Sequence, residues 1–159
     1  MSVLLRPATE PDHDEVLALN LAEVVNLAPM DRARLLELQG WADRFDVIEV
    51  DGRFGGFVVT VAPGTPYDSE NYAWFTGAYE SFYYLDRVVL HPHVRRRGVG
   101  GRVYDELESV AAGYGRLALE VNLEPRNDAS LAFHAGRGYV EVGRLGDDAH
   151  LVSLMSKEL

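Results

Sequence analysis

Apolar and polar positions along the chain divide it into short strands and helices. Val3 to Arg6 is a brief apolar run and reads as a strand. Thr9-Glu10-Pro11-Asp12 offers an N-cap hydroxyl, a proline in the first turn and an acid at the third position, which opens a helix. Val16, Leu17 and Leu19 are its apolar residues, and it is predicted to run to about Glu23. Asn26 to Met30 breaks the pattern. Asp31 caps a second predicted helix through Leu35, Leu36 and Leu38 to about Trp41. Two strands follow, Phe45 to Val50 and Phe54 to Val61, joined at Asp51-Gly52, a common hairpin turn pair.

The pattern resumes at Phe82 to Leu90, an apolar and aromatic run interrupted only by Asp86 and Arg87. It predicts a buried central strand, ended by His91-Pro92 because proline cannot donate to a ladder. Beyond Arg95-Arg96-Arg97-Gly98, residues Val99, Val103, Leu107, Val110 and Ala111 fall on one face of a helix, with Arg102, Asp105, Glu106 and Ser109 opposite. Arg116 to Val121 alternates and reads as the next strand. Asn127-Asp128 opens a short helix that Gly136 and Gly138 close. Tyr139 to Arg144 and His150 to Ser156 are the last two strands, expected to pair.

Between strands, Ala62 to Ser81 is read as a long loop. It holds Tyr67, Tyr72, Trp74, Phe75 and Tyr79 with Asp68, Glu70 and Glu80, and no lysine or arginine. A connection of this length is rarely idle. Aromatic and acidic residues suit a cationic amine, so Tyr72 and Trp74 are candidate substrate contacts. A packed surface loop or a contact in a homodimer accounts for the same residues.

Composition narrows the classes. At 159 residues the chain fits one domain, 1–159, with room for a real core. The absence of cysteine excludes disulfides, thiolate metal sites and a cysteine acyl relay, and is compatible with the cytoplasm. No signal peptide or membrane-spanning run is expected. The formal net charge of -10 argues against a nucleic-acid partner. It leaves room for a cationic substrate, or simply serves solubility. The histidines show no metal-ligand spacing beyond His91-x-His93, which more readily marks a strand exit, so no metal is expected.

Against that acidic background the arginine-glycine turn from Arg95 to Gly101 stands out. Glycines allow close backbone approach, and the first N–H groups of a helix have no intrahelical partner and lie at its positive end. Such a turn favours an anion, phosphate above all. It is not a P-loop, since no lysine follows, nor a Gly-x-Gly-x-x-Gly dinucleotide turn. A plain tight connection between strand and helix remains the simpler alternative.

Arg95-x-x-Gly98-x-Gly100, after a strand ending Val88-Val89-Leu90-x-Pro92, resembles the acyl-CoA pyrophosphate loop of the GNAT superfamily of N-acetyltransferases. The segment from Glu120 through Asn127 to Gly138-Tyr139 is similar to that family's second CoA segment. The resemblance runs from about Val3 to the C-terminus. It implies an α/β (α+β) fold with a mixed, mostly antiparallel sheet of about seven strands and about four helices. The strands around 82–90 and 116–122 are expected to splay apart to admit the thioester arm. It implies acetyl-CoA as co-substrate and a small-molecule or peptide amine as acceptor, attacked directly in a ternary complex. The cofactor contacts it implies are Val88, Val89, Leu90, Arg95, Arg96, Arg97, Gly98, Val99, Gly100, Gly101, Asn127, Ser130 and His134.

Some roles stay open in the sequence. Asn127 serves equally as a helix N-cap or as a contact for the pantetheine arm, and the two are compatible. His134 stands where many family members place a tyrosine acid; it is either a donor to the departing thiolate or a satisfied structural histidine. Period two places Ala118, Glu120 and Asn122 on one strand face. Glu120 is a candidate base for the amine proton, or the partner of an arginine. Tyr84 and Asp86, expected on one face with Val88, are the runners-up for proton handling or amine binding; Asp86 has Arg87 and Arg116 as possible partners. A CoA-binding sensor without catalysis and a phosphate-binding protein of another family are the alternative functions.

Overall fold

The computed structural model describes residues 1–159. Strands β1 (Val3–Pro7), β2 (Arg44–Val50), β3 (Arg53–Val61), β4 (Tyr83–Leu90), β5 (Arg116–Glu124), β6 (Val140–Gly146) and β7 (Leu151–Glu158) form one sheet in the order β1-β2-β3-β4-β5-β7-β6. Every neighbouring pair is antiparallel except β4–β5, which is parallel. The predicted hairpin at Asp51-Gly52 is present: both residues have positive φ, 51° and 78°, the twist a two-residue hairpin favours.

Helices cover both faces. Helix α1 (His13–Ala22), α2 (Arg32–Trp41) and α3 (Glu70–Ala78) bury Val16, Leu19, Leu35, Leu38, Tyr72 and Phe75 against Phe57, Val59, Tyr84, Ala118 and Leu154. Helix α4 (Val99–Ala111) buries Val99, Val103, Tyr104 and Leu107 on the opposite face against Tyr83, Leu85, Leu117 and Leu119. The fifth helix, α5 (Asp128–Gly136), leans on α4 through His134 and Phe133. No helix is long and apolar enough to cross a membrane.

Two expectations are corrected. The connection from Ala62 to Ser81 holds helix α3, so there are five helices rather than about four. Ser69 caps it by accepting from the Tyr72 N–H at 3.2 Å, and Tyr72 and Phe75, three apart, bury its inner side. Its aromatics, Thr76 and Gly77 are weak helix formers, which hid it. The second correction concerns β4. Val59 pairs with Arg87 but Thr60 pairs with Leu85, so Asp86 is an extra, bulged residue. The bulge inverts the alternation: Tyr84 faces the α1–α3 side, while Val88 packs on the α4 side. Tyr84 and Val88 therefore do not share a face.

Candidate active site

The parallel strands β4 and β5 are paired only at Tyr83–Leu117 and Tyr84–Ala118. Beyond those residues they part, leaving the β4 edge from Asp86 to Leu90 and the β5 edge from Leu119 facing each other across an opening. The strand after it, β7, stays paired along the whole length of β5, so the opening lies inside an otherwise continuous sheet.

At one end of the opening stands the turn into α4. Gly98 is the N-cap residue with φ 78°, a conformation side chains resist, and Arg96 is also left-handed at 60°. The backbone N–H groups from Arg96 to Gly101 donate to no acceptor within the chain; the first intrahelical bond is Arg102 N–H to the Gly98 carbonyl at 3.3 Å. They form a row of unpaired donors at the positive end of a helix thirteen residues long. The arginines are partly tethered. Arg95 donates from Nε to the Leu90 carbonyl at 3.1 Å and pairs with Glu23 at 2.5 Å, and Arg97 lies 3.4 Å from Asp51. The donor set fits a pyrophosphate held chiefly by amides.

At the other end lies Glu120, half-buried on β5. Its Oε2 accepts from the Tyr84 hydroxyl at 2.6 Å. Burial pushes its carboxyl up to about 8, with the charge of Asp86 adding to the effect; the Tyr84 hydroxyl and the Asn71 amide pull it part of the way back. The Tyr84 phenol is itself held well above its ordinary range by burial, so it remains a donor. Glu120 has no arginine partner, and its reading as half of an ion pair is not realised. Asp86 instead pairs with Arg87 at 2.7 Å, while Arg116 bonds Ser156 and Glu158.

Helix α3 roofs this end. Glu120, Leu154 and Gly143 stand side by side across β5, β7 and β6. Asn71 reaches Glu120 at one end of that row, and the Trp74 ring lies on Gly143 at the other. A Cβ at Gly143 would sit 2.5 Å from the indole, so glycine is required there.

The sequence matches the acetyltransferase (GNAT) family over residues 13–139. The chain belongs to that family. Among solved GNAT-fold structures it is similar to Ard1 from Thermoplasma volcanium, with a TM-score of 0.78, 19% identity, and 100% of this chain and 99% of that one covered. It is similar to a ribosomal-protein-alanine N-acetyltransferase from Brucella melitensis, with a TM-score of 0.69, 26% identity, and 98% and 99% covered. A third similar structure is yncA from Salmonella typhimurium, solved with its cofactor acetyl-CoA, at a TM-score of 0.70, 15% identity, and 99% and 94% covered.

The remaining candidate residues of this GNAT chain fall into place unevenly. Val88, Val89 and Leu90 form the β4 edge at the opening. Asn127 Oδ1 accepts from the Ser130 N–H at 3.2 Å and caps α5, while its Nδ2 has no partner in the chain. His134 is buried, with Nδ1 on the Ser130 carbonyl at 2.7 Å and Nε2 receiving the Tyr104 hydroxyl at 2.6 Å. Burial lowers its proton affinity. Both ring nitrogens are engaged within the fold, which fits the satisfied histidine better than an acid. Tyr72 is 2% exposed and donates its hydroxyl to the Ala62 carbonyl at 2.6 Å, so it is a core pin rather than a wall of the site. Asn71 was not singled out by the sequence, Tyr67 was noted only among the aromatics of the 62–81 segment, and Arg87 only as a possible partner of Asp86, which it is. Only the Ser69-Glu70 helix start could have pointed to Asn71.

Proposed function

We propose that this GNAT chain, acting as one domain over residues 1–159, is an acyl-CoA-dependent N-acyltransferase that moves an acetyl group from acetyl-CoA to a primary amine. The observation that carries the reading is the parting of β4 and β5 between unpaired amide donors at one end and a half-buried, protonatable Glu120 at the other. The amides from Arg96 to Gly101 hold the pyrophosphate. The free β4 edge from Val88 to Leu90 pairs with the pantetheine arm as an added strand would. Asn127 contacts the arm with Nδ2 while Oδ1 caps α5, and Ser130 stands on the same helix turn.

Glu120 takes the proton from the acceptor ammonium, which frees the nitrogen lone pair to attack the thioester carbon. The new N–C bond forms, the C–S bond breaks, and the departing CoA thiolate takes up the second proton that the attacking nitrogen gives up on becoming an amide. The chain has no cysteine to carry an acyl group, so attack is direct within a ternary complex. His134 holds Tyr104 and the first turn of α5 in place. Asn71 and Trp74 line the acceptor side.

The test is thermal unfolding with and without acetyl-CoA, with ATP as control, since a ligand of the folded state raises the midpoint. A rise with acetyl-CoA that Gly98→Glu removes is expected, followed by thiol release with a panel of amines. A rise with ATP alone, or none at all, defeats the cofactor assignment. Binding without thiol release from any amine selects the sensor alternative.

A further inference from the structure

Helix α1 ends on an acid. Glu23 is its C-cap residue, and the last turn carries no basic residue. A carboxylate there faces the negative pole of the helix, where a cation is the favourable group. The cation comes from far along the chain: Arg95 Nη2 lies 2.5 Å from Glu23 Oε1. Both side chains are partly exposed, so the pair is within reach of a ligand.

Arg95 is also the first arginine of the anion-binding turn. Its Nε donates to the Leu90 carbonyl at 3.1 Å. The Leu90 side chain stands 3.7 Å from the place a Cβ on Gly100 would take. The guanidinium is therefore anchored at the residue that borders the turn, and one anion of the chain already holds it. A diphosphate drawn to the turn and the Glu23 carboxylate would be two anions on one guanidinium. They repel each other, and the diphosphate brings the greater charge.

What Glu23 holds is the start of the α1–α2 connection, residues 23–31. That connection is tied to β4 and its turn at two places. One is Glu23 on Arg95. The other is the Ala28 carbonyl, which accepts from Arg87 Nη1 at 3.3 Å and from Asn20 Nδ2 at 3.1 Å. Between them the backbone makes short local bonds, Val24 N–H to the Leu21 carbonyl at 3.3 Å and Asn26 N–H to the Glu23 carbonyl at 3.0 Å, and Val25 is 66% exposed. A segment held in this way opens more readily when one tie is removed.

We propose that Glu23 is an internal competitor for Arg95: the pyrophosphate of acetyl-CoA draws the guanidinium away, and the α1–α2 connection loses one of its two ties as the cofactor loads. This rests on the turn as the pyrophosphate seat. Cofactor and connection are then coupled through one ion pair, and the coupling is reciprocal: what the pair adds to the seating of the connection it takes from cofactor affinity. A solvent-exposed pair corresponds to roughly a 1.5- to 5-fold change in an equilibrium constant.

The experiment is a double-mutant cycle on the dissociation constant of CoA, measured by titration calorimetry for the wild type, Glu23→Gln, Arg95→Gln and the two together. CoA is the probe because it carries the pyrophosphate and has no acyl group to transfer. Glu23→Gln is expected to bind CoA about 1.5- to 5-fold more tightly. Arg95→Gln is expected to bind it about 10-fold less tightly, and Glu23→Gln should add nothing in that background. Unchanged or weaker binding by Glu23→Gln overturns the proposal. So does equal tightening with and without Arg95, which is the general effect of one acid fewer near an anion. An Arg95→Gln variant that binds as tightly as the wild type overturns it too.

Hydrogen exchange of the wild type supplies a readout without substitution. With saturating CoA the amides of Val24 and Asn26 are expected to exchange about 1.5- to 5-fold faster, while those from Arg96 to Gly101 slow. Unmoved or slower exchange at Val24 and Asn26 overturns the release of the connection. Absence of any CoA binding by the wild type instead defeats the pyrophosphate reading itself, and this proposal with it.

Discussion

The two ends of the opening between β4 and β5 are built on opposite principles. The turn from Arg95 to Gly101 is contiguous, and its donors are main-chain N–H groups left over at a helix start. The acceptor end draws Tyr67, Asn71, Tyr84 and Glu120 from the segment before α3, from α3 itself, and from β4 and β5. Backbone recognition needs only a conformation, so it tolerates change at most side chains. A side-chain cluster needs every member held by its own packing. The first suits a constant ligand fragment and the second a variable one.

That contrast is testable by removing one end at a time. The largest effect is expected from Glu120→Gln, a fall in kcat/KM of roughly 10² to 10⁴ with the acetyl-CoA-induced rise in thermal midpoint intact. Loss of that rise as well would show that the ends are not separable. Gly98→Glu places a carboxylate at the turn and a side chain at φ 78°. Losing one or two charge-assisted bonds is expected to raise KM for acetyl-CoA about 10- to 100-fold, with the amine KM nearly unchanged in initial-rate kinetics.

Gly143→Val sharpens the comparison from the far side. Its methyls would occupy the place of the Trp74 ring, so the indole must shift and disturb its seat on α3. A cost of about 1–3 kcal/mol is expected, read as a drop of several degrees in the midpoint. The amine KM should rise and that for acetyl-CoA should not. The smallest effect belongs to Asn127. Asn127→Ala should lose about 1 kcal/mol with the α5 cap and raise KM for acetyl-CoA a few-fold. Asn127→Ser keeps a cap but no amide; if it restores KM together with stability, Asn127 is a cap alone.

Legibility in the sequence follows the same division. The strands, the hairpin at Asp51-Gly52 and the turn at Gly98 rest on local rules, and each appears within a residue or two of its predicted place, except that β5 runs three residues past its predicted end at Val121. The parting of β4 from β5 came from the family resemblance and is present. Helix α3 was hidden by residues whose helical state depends on burying Tyr72 and Phe75 beneath it. The face of Val88 was misread because the bulge at Asp86 adds one residue to one strand only, and period two cannot register a mismatch with a partner strand. Tyr72, chosen for its aromatic character, is spent in the core, whereas Asn71 beside it reaches Glu120. Neither fact is available without the third dimension.

The chain has two tryptophans, and both pack on the α1–α3 side of the sheet. Trp41 lies 5.5 Å from the ring of Tyr67, and Trp74 rests on Gly143. The arginine-glycine turn has none. Intrinsic fluorescence is therefore a spatially resolved signal in this molecule: emission answers to the seating of α3 and the segment before it, and an optical titration with an amine reads one half of the site while the other stays dark.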